Sequence, residues 1–248
     1  MTNTQSLSDF NSMWQWTKSR SNYHFNKWQI DNPDNFFKVI DQLENTWAAD
    51  LETIKKQSFA TTWKTITYTG GQQQKGLADD KRSYDLSLGG ADIDLVELTN
   101  VFDNFDNLPN LQKVIDYFAL DRVQPRCHVQ LTGQMFTMHI DPLNRLFTNS
   151  TVDYDKVNEY NINDIVRITV MLQDWEPGQF IIFGNYNYQQ WHAGDFFIHD
   201  WMNTPHATAN ASEHVRITLQ LTGLRTKRTN DIIGGPDIFN PYFKQGIL

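Results

Sequence analysis

In the stretch TMHIDPLNR, His139 and Asp141 stand two positions apart. On a β-strand, residues two apart project from the same face, so this imidazole and this carboxylate could grip one object. A metal site of the facial type needs two histidines and one carboxylate on one side of the ion, with the opposite positions open. The second histidine must then come from a distant strand. His206 in NTPHATANASEHVRIT suits that place, since it follows Pro205 and opens a short apolar run. Ten positions further on is Arg216, with Thr218 two beyond it in HVRITLQLTG. A guanidinium fork beside a hydroxyl is suited to a small carboxylate, because the fork gives two parallel charge-assisted hydrogen bonds and the hydroxyl a third.

Taken singly, each element has a plain explanation: a His-x-Asp on a solvated strand, a histidine in a turn after proline, an arginine facing water. Their order and spacing carry the signal. Arg145 and Arg167 are the alternative carboxylate partners if Arg216 faces outward. His192 in QQWHAGD and His199 in FFIHDW lack a carboxylate two positions away and read as structural or supporting residues. Arg126, His128 and Gln130 alternate with Cys127, Val129 and Leu131, so one face of that strand is apolar and the other polar. The polar face either meets solvent or lines a cavity.

The elements that must position these residues are legible in outline. PDNFFKVIDQLENTWAADLETIKK places Phe36, Phe37, Ile40, Leu43, Trp47, Leu51 and Ile54 at three- and four-residue steps, which predicts an amphipathic helix over 34–56. ATTWKTITYT predicts a strand over 60–69 ending at Gly70-Gly71, and residues 70–92 read as a long polar loop. NLQKVIDYFAL predicts a second helix with Leu111, Val114, Ile115 and Phe118 on one face. From Pro125 to Gly223, eight short apolar runs are separated by turn residues: PRCHVQLTG, QMFTMHID, DIVRITVMLQDW, QFIIFGN, YNYQQWHAG, DFFIHDW, PHATAN and HVRITLQLTG. Eight such strands suggest a sandwich or jelly-roll barrel. Tyr186, Tyr188 and Trp191 would form a substrate surface or fill the barrel mouth, and the tail from Arg225 carries little periodic signal.

Composition bounds the function. The 248 residues suffice for a single domain with a full core, and a net charge of −8 disfavours a nucleic-acid partner, which calls for clustered Lys and Arg. No run approaches the length of a membrane span. The single cysteine, Cys127, excludes an internal disulfide and a cysteine-built zinc site and is compatible with a reducing compartment, so the cytoplasm is the expected location.

The order His-x-Asp, a distal His, then an Arg within Arg-x-Thr resembles the iron(II)- and 2-oxoglutarate-dependent oxygenases, and HxD with its lead-in RCHVQLTGQMFTMHIDP is most similar to the prolyl- and asparaginyl-type hydroxylases. The resemblance covers about 125–223. It implies a mainly β fold with flanking α-helices around a double-stranded β-helix, the cupin-like jelly-roll, as a single domain: a flank at 1–124, a core at 125–223 and an extension at 224–248. It also implies that His139, Asp141 and His206 ligate Fe(II) and that Arg216 and Thr218 bind the C5 carboxylate of 2-oxoglutarate. His128 and Gln130, if they line the cavity, would help hold 2-oxoglutarate or substrate. O2 would be consumed and succinate and CO2 released. The family's halogenating members lack the carboxylate ligand, so Asp141 favours hydroxylation, of a protein or peptide residue or an amino-acid-like small molecule. The competing expectation is a non-catalytic cupin-like protein binding a metal or small ligand. The pair Arg216 and Thr218 separates the two, because a plain metal-binding cupin has no use for a second carboxylate anchor.

Overall fold

A computed structural model describes Asp34 and residues 36–60, 64–69, 72–77, 83–86, 91–94, 100–102, 104–139, 164–201 and 204–239. Along the chain run β1 (Phe37–Gln42), α1 (Ala48–Ala60), β2 (Lys64–Thr69), β3 (Gln72–Leu77), β4 (Ser83–Leu86), β5 (Ala91–Asp94), β6 (Asn100–Phe102) and α2 (Pro109–Phe118). Then follow β7 (Asp121–Gln130), β8 (Met135–His139), β9 (Ile165–Met171), β10 (Gln179–Phe183), β11 (Tyr186–Tyr188), β12 (Asp195–His199), β13 (His206–Asn210), β14 (Arg216–Leu224), α3 (Lys227–Ile233) and a 3-10 turn at Pro236–Phe239. The eight strands β7 to β14 coincide with the eight apolar runs of the sequence.

These strands divide between two antiparallel sheets. The larger has the order β1-β12-β9-β14-β7-β6-β2-β3, and the smaller β11-β10-β13-β8. Successive strands of the β7–β14 set thus alternate between the sheets, except that β10 and β11 pair with each other in the smaller one. The arrangement is a double-stranded β-helix, the cupin-like jelly-roll, with helices on one side.

Period-two alternation along the larger sheet makes two different faces. Cys127 and Val129 of β7, Val166, Ile168 and Val170 of β9, Phe196 and Ile198 of β12 and Ile217, Leu219 and Leu221 of β14 form one buried cluster. It includes Trp47, just ahead of α1, Leu51 and Ile54 of α1, and Leu111, Val114, Ile115 and Phe118 of α2. The indole nitrogen of Trp47 donates to the Leu172 carbonyl at 2.9 Å, seating α1 on the sheet. The N-terminus of α2 is capped by α1: the buried Asp50 carboxylate accepts from the backbone N–H of Asn110 (2.9 Å) and of Leu111 (2.8 Å). This satisfies donors that every helix start leaves open, and a carboxylate there meets the positive end of the helix dipole. The predicted face of α2 is the one that is buried.

The expected helix over 34–56 is only half correct. Phe37–Gln42 is a strand lying antiparallel to β12, with Phe37 opposite His199, and the helix begins at Ala48. The edge of β12 offers ladder hydrogen bonds, and Phe37 packs its ring at 4.8 Å from both Phe183 and Tyr188. Tertiary pairing therefore overrides a spacing that also fits a helix. The strand ends where Leu43 N–H donates to the Gly194 carbonyl at 2.9 Å. Gly194 has φ +95, and a Cβ there would run into the Leu43 carbonyl, so the approach requires glycine.

The expected loop over 70–92 is corrected too. Within it Gln72–Leu77 pairs antiparallel with Lys64–Thr69, and Ser83–Leu86 pairs with Ala91–Asp94. Gly70-Gly71 is a two-residue hairpin signal. The polar run QQQKG hid the second strand because it lacks an apolar alternation. The strand expected over 60–69 starts at Lys64, since Ala60 still belongs to α1. In the tail, α3 is held by a reciprocal cap between Thr226 and Thr229, and both hydroxyls reach the C-terminal carbonyls of α2, at Ala119 and Phe118.

Candidate functional site

The inner face of the larger sheet carries the residues that the outer face does not use. Register sets Gln130 opposite Arg216, His128 opposite Thr218 and Arg126 opposite Gln220 between β7 and β14. On the other flank of β14, Met171 lies opposite Thr218, Thr169 opposite Gln220 and Arg167 opposite Thr222. That this face looks into the barrel follows from its contacts with the smaller sheet. Arg216 Nη1 donates to the Phe180 carbonyl of β10 at 3.2 Å, and Gln130 Nε2 donates to Thr208 Oγ1 of β13 at 2.8 Å. The polar face of β7, which the sequence left open between solvent and cavity, is on the cavity side.

In the smaller sheet, the backbone of β8 puts His139 directly opposite His206 of β13. Two histidines far apart in the chain thus become cross-strand partners, and directly opposed residues of an antiparallel pair stand within about 4.5–5.5 Å at Cβ. His206 is buried, and its Nδ1 lies 3.0 Å from the Thr204 carbonyl. A carbonyl can only accept, so Nδ1 bears the proton and Nε2 the lone pair, the tautomer a metal-ligating histidine needs. Burial lowers the pKa of His206 to about 4; the Thr204 hydrogen bond opposes this and the charge of Arg167 adds to it. At neutral pH the ring is neutral. Asp141 and Arg145 lie outside the described residues, and among the described residues no cluster of three His, Cys, Asp or Glu forms a metal site.

Arg216 is 3% exposed, at the first residue of β14. Among the described residues its hydrogen-bond partner is the Phe180 carbonyl, and its Nε is buried without one. Burial alone lowers the guanidinium from its ordinary range to about 9. A cation held in this way could pair with an anion. Thr218, two residues on, is also buried. Phe180 lies opposite Ala209 while Phe183 lies opposite His206, so Arg216 reaches the smaller sheet three residues away from His206, ~10 Å along the strand.

His128 Nε2 lies 3.2 Å from Gln220 Oε1. Burial lowers His128 to about 3, opposed by the Gln220 hydrogen bond and reinforced by the charges of Arg126, Arg167 and Arg216. Three arginines thus act on one histidine inside a chain whose net charge is −8.

His199 is nearer the centre than its sequence context suggested: it is buried, and its ring stands 5.0 Å from that of His206 in a T-shaped contact and 4.9 Å from that of Phe183. Its signal was the alternation of β12, which puts it on the inner face with Phe197. His192 is exposed beside Asp174 and belongs to the surface. Tyr188 and Trp191 join Phe36, Phe37, Met171, Ile181, Phe183 and Phe197 in a second cluster, so these aromatics fill the barrel, with Tyr186 packed against them. The interior therefore has an aromatic wall on β10, β11 and β12 and a polar, cationic wall on β7 and β14, with His199 and His206 between them.

No protein-family model matches the chain, and no curated protein matches it in sequence. Solved structures with a similar fold include a prolyl hydroxylase from Trichoplax adhaerens in complex with a hypoxia inducible factor peptide fragment, with 12% identity, TM-score 0.46, 88% of this chain and 94% of that one covered. A Pseudomonas putida prolyl-4-hydroxylase is similar at 9% identity and TM-score 0.44, covering 79% of this chain and 97% of that one. A cupin 2 conserved barrel domain protein from Salinispora arenicola is similar over 54% of this chain and 82% of its own, at 8% identity and TM-score 0.29. At these values the likeness is one of fold.

Proposed function

We propose that the protein is an iron(II)- and 2-oxoglutarate-dependent dioxygenase that hydroxylates a protein or peptide residue or an amino-acid-like small molecule. The observation that carries the reading is the buried Arg216 in the same barrel interior as His206, whose backbone register partner is His139, ~10 Å along the strands. That span suits a molecule with one end at the histidines and a carboxylate at the arginine. In this reading His139, Asp141 and His206 hold Fe(II), and Arg216 and Thr218 take the C5 carboxylate of 2-oxoglutarate, with His128 and Gln130 beside it.

The iron, once bound, would supply the coupling of 2-oxoglutarate decarboxylation, to succinate and CO2, with O2-driven hydroxylation of a C–H bond. The chain's own residues do the rest. The Thr204 carbonyl fixes the tautomer and orientation of His206. Arg216 pairs with a carboxylate and so regains the interactions its burial removed. Phe183 and Phe197, packed with the His199 ring, exclude water from one side of the site.

The test is an anaerobic titration of the purified protein with iron(II) and then 2-oxoglutarate, following the weak visible charge-transfer band of a chelated 2-oxo acid. The band should appear and fade on admitting O2, with succinate formed. His139→Ala and Asp141→Ala should abolish iron binding, whereas Arg216→Ala should keep the iron and weaken 2-oxoglutarate. Iron bound without the band, or no iron bound, would instead indicate a cupin-like binding protein, and undiminished turnover in Arg216→Ala would move the anchor to another arginine.

A further inference from the structure

We propose that His128 and Gln220 form a recognition site for a secondary amide of the primary substrate, setting one hydrogen-bond acceptor and one donor side by side on the inner wall of the barrel. The inference rests on the dioxygenase reading and narrows its substrate to a peptide or other N-acylated molecule rather than a free amino acid. His128 lies opposite Thr218, but its Nε2 bonds Gln220 Oε1 at 3.2 Å, one inner position further along β14. The ring therefore leans away from Arg216.

The chemistry of the pair follows from that bond. A carboxamide oxygen can only accept, so Nε2 carries the proton and Nδ1 of the neutral ring carries a lone pair. Burial, opposed by the Gln220 hydrogen bond and reinforced by the charges of Arg126, Arg167 and Arg216, keeps the ring neutral at pH 7, so the lone pair persists. With its oxygen engaged, Gln220 keeps both amide protons to donate. Turning the carboxamide round exchanges the two roles and still leaves one donor and one acceptor. Both residues are half-buried, and among the described residues their side chains hydrogen-bond to each other alone. A secondary amide offers the complement, a carbonyl oxygen beside an N–H. A carboxylate or an ester has no proton to give to the imidazole.

Register sets the pair toward the histidine end of the cavity. Ile198 is opposite Ile168, which brings His199 into line with Arg167, and Arg167 lies opposite Thr222. The His199 ring touches that of His206, so the histidine end of the cavity is the Thr222 end of β14. Gln220 is one inner position short of Thr222 and four residues, ~13 Å, from Arg216. The ~10 Å between Arg216 and His206 assigned to 2-oxoglutarate ends before that level. The amide site therefore borders the co-substrate, on the side where the C–H bond to be oxidised must lie.

The test compares N-benzylacetamide with benzyl acetate, which keeps the carbonyl and lacks the N–H, by calorimetric titration into the anaerobic iron(II) protein saturated with 2-oxoglutarate. A site built around a hydrogen bond to an N–H rejects the analogue without it. The amide should bind at least fivefold tighter than the ester, and His128→Phe should erase that preference. Gln220→Leu, and Gln220→Glu, which keeps an acceptor for the imidazole but no N–H, should each weaken the amide at least fivefold. In Gln220→Leu the affinity for 2-oxoglutarate, read from the charge-transfer band, should stay within threefold of the parent. Equal binding of amide and ester by the wild-type protein, no amide binding at any soluble concentration, a preference unchanged in His128→Phe, or a loss of 2-oxoglutarate affinity in Gln220→Leu would overturn the proposal. The wild-type comparison decides alone if a variant does not fold. If the wild-type protein forms no charge-transfer band, the dioxygenase reading fails by itself, and the same titration without metal still decides whether the pair binds an amide.

Discussion

Arg216 offers a direct trade between stability and binding. The residue is 3% exposed, and burial lowers its guanidinium from the ordinary range to about 9, which corresponds to ~5 kcal/mol of unfavourable charge burial. A depressed basic group costs stability while it is charged, so the cost is fully present at neutral pH and fades only as pH rises above about 9. Relaxation and water penetration reduce the effective penalty to ~2–4 kcal/mol. Arg216→Met keeps much of the volume and removes the charge, at the expense of the hydrogen bond to the Phe180 carbonyl, worth ~1 kcal/mol. The ligand-free variant should therefore be more stable than the parent by ~1–3 kcal/mol, a rise of about 5 °C in melting temperature for a chain of this size. Adding 2-oxoglutarate, at a hundredfold excess over the parent's Kd, to the anaerobic iron(II) protein should then stabilise the parent by a further ~2.7 kcal/mol and the iron-loaded variant much less. Differential scanning calorimetry with and without ligand reads both effects. A ligand-free variant that melts below the parent would refute the reasoning, because it would mean that Arg216 already has a stabilising partner in the empty barrel.

Two further outcomes follow from the interior polar groups. His206 and His128 are held near 4 and 3, so between pH 6.5 and 5 the unfolded chain takes up protons that the folded one refuses, and stability must fall with pH. Urea unfolding should show a loss of ~1–2 kcal/mol per pH unit in that window, and His128→Gln should reduce the slope. Asn210 is 1% exposed; its amide nitrogen donates to the carbonyls of Gln130 and His214, both at 2.8 Å, and its oxygen accepts from the Ser212 N–H and hydroxyl. Asn210→Ala should cost ~2–4 kcal/mol by urea unfolding and leave 2-oxoglutarate affinity unchanged.

The core of the fold was legible because β7 to β14 are short, apolar or alternating, and separated by Gly, Pro and Asn. The elements before α2 were less so. Phe36, Phe37 and Ile40 fit a helical face as well as an edge strand, and only the exposed edge of β12 decides between them. QQQKG of β3 has no apolar alternation at all, so its pairing with β2 leaves no local trace. For the site, the spacing of Arg216 and Thr218 and the alternation of Arg126, His128 and Gln130 gave face but not direction. The contacts to Phe180 and Thr208 supply the direction. His199 has no carboxylate two positions away in the sequence, and its neighbours across the barrel, His206 and Phe183, come from other strands and leave no local trace.

One physical pattern explains both the core and the cavity. In β14 the odd positions Ile217, Leu219 and Leu221 bury apolar surface against α1 and α2, while Arg216, Thr218, Gln220 and Thr222 stand between the sheets. A slip of one residue in the register of β14 would exchange these sets, placing a guanidinium in the helix-facing core and leucines in the cavity. The apolar positions therefore do more than stabilise the barrel: their burial, at about 25 cal/mol per Å2, is what holds the charged positions inward against the cost of desolvating them. A substitution such as Leu219→Gln, although it touches no inner residue, should weaken the register and with it the carboxylate binding proposed for Arg216.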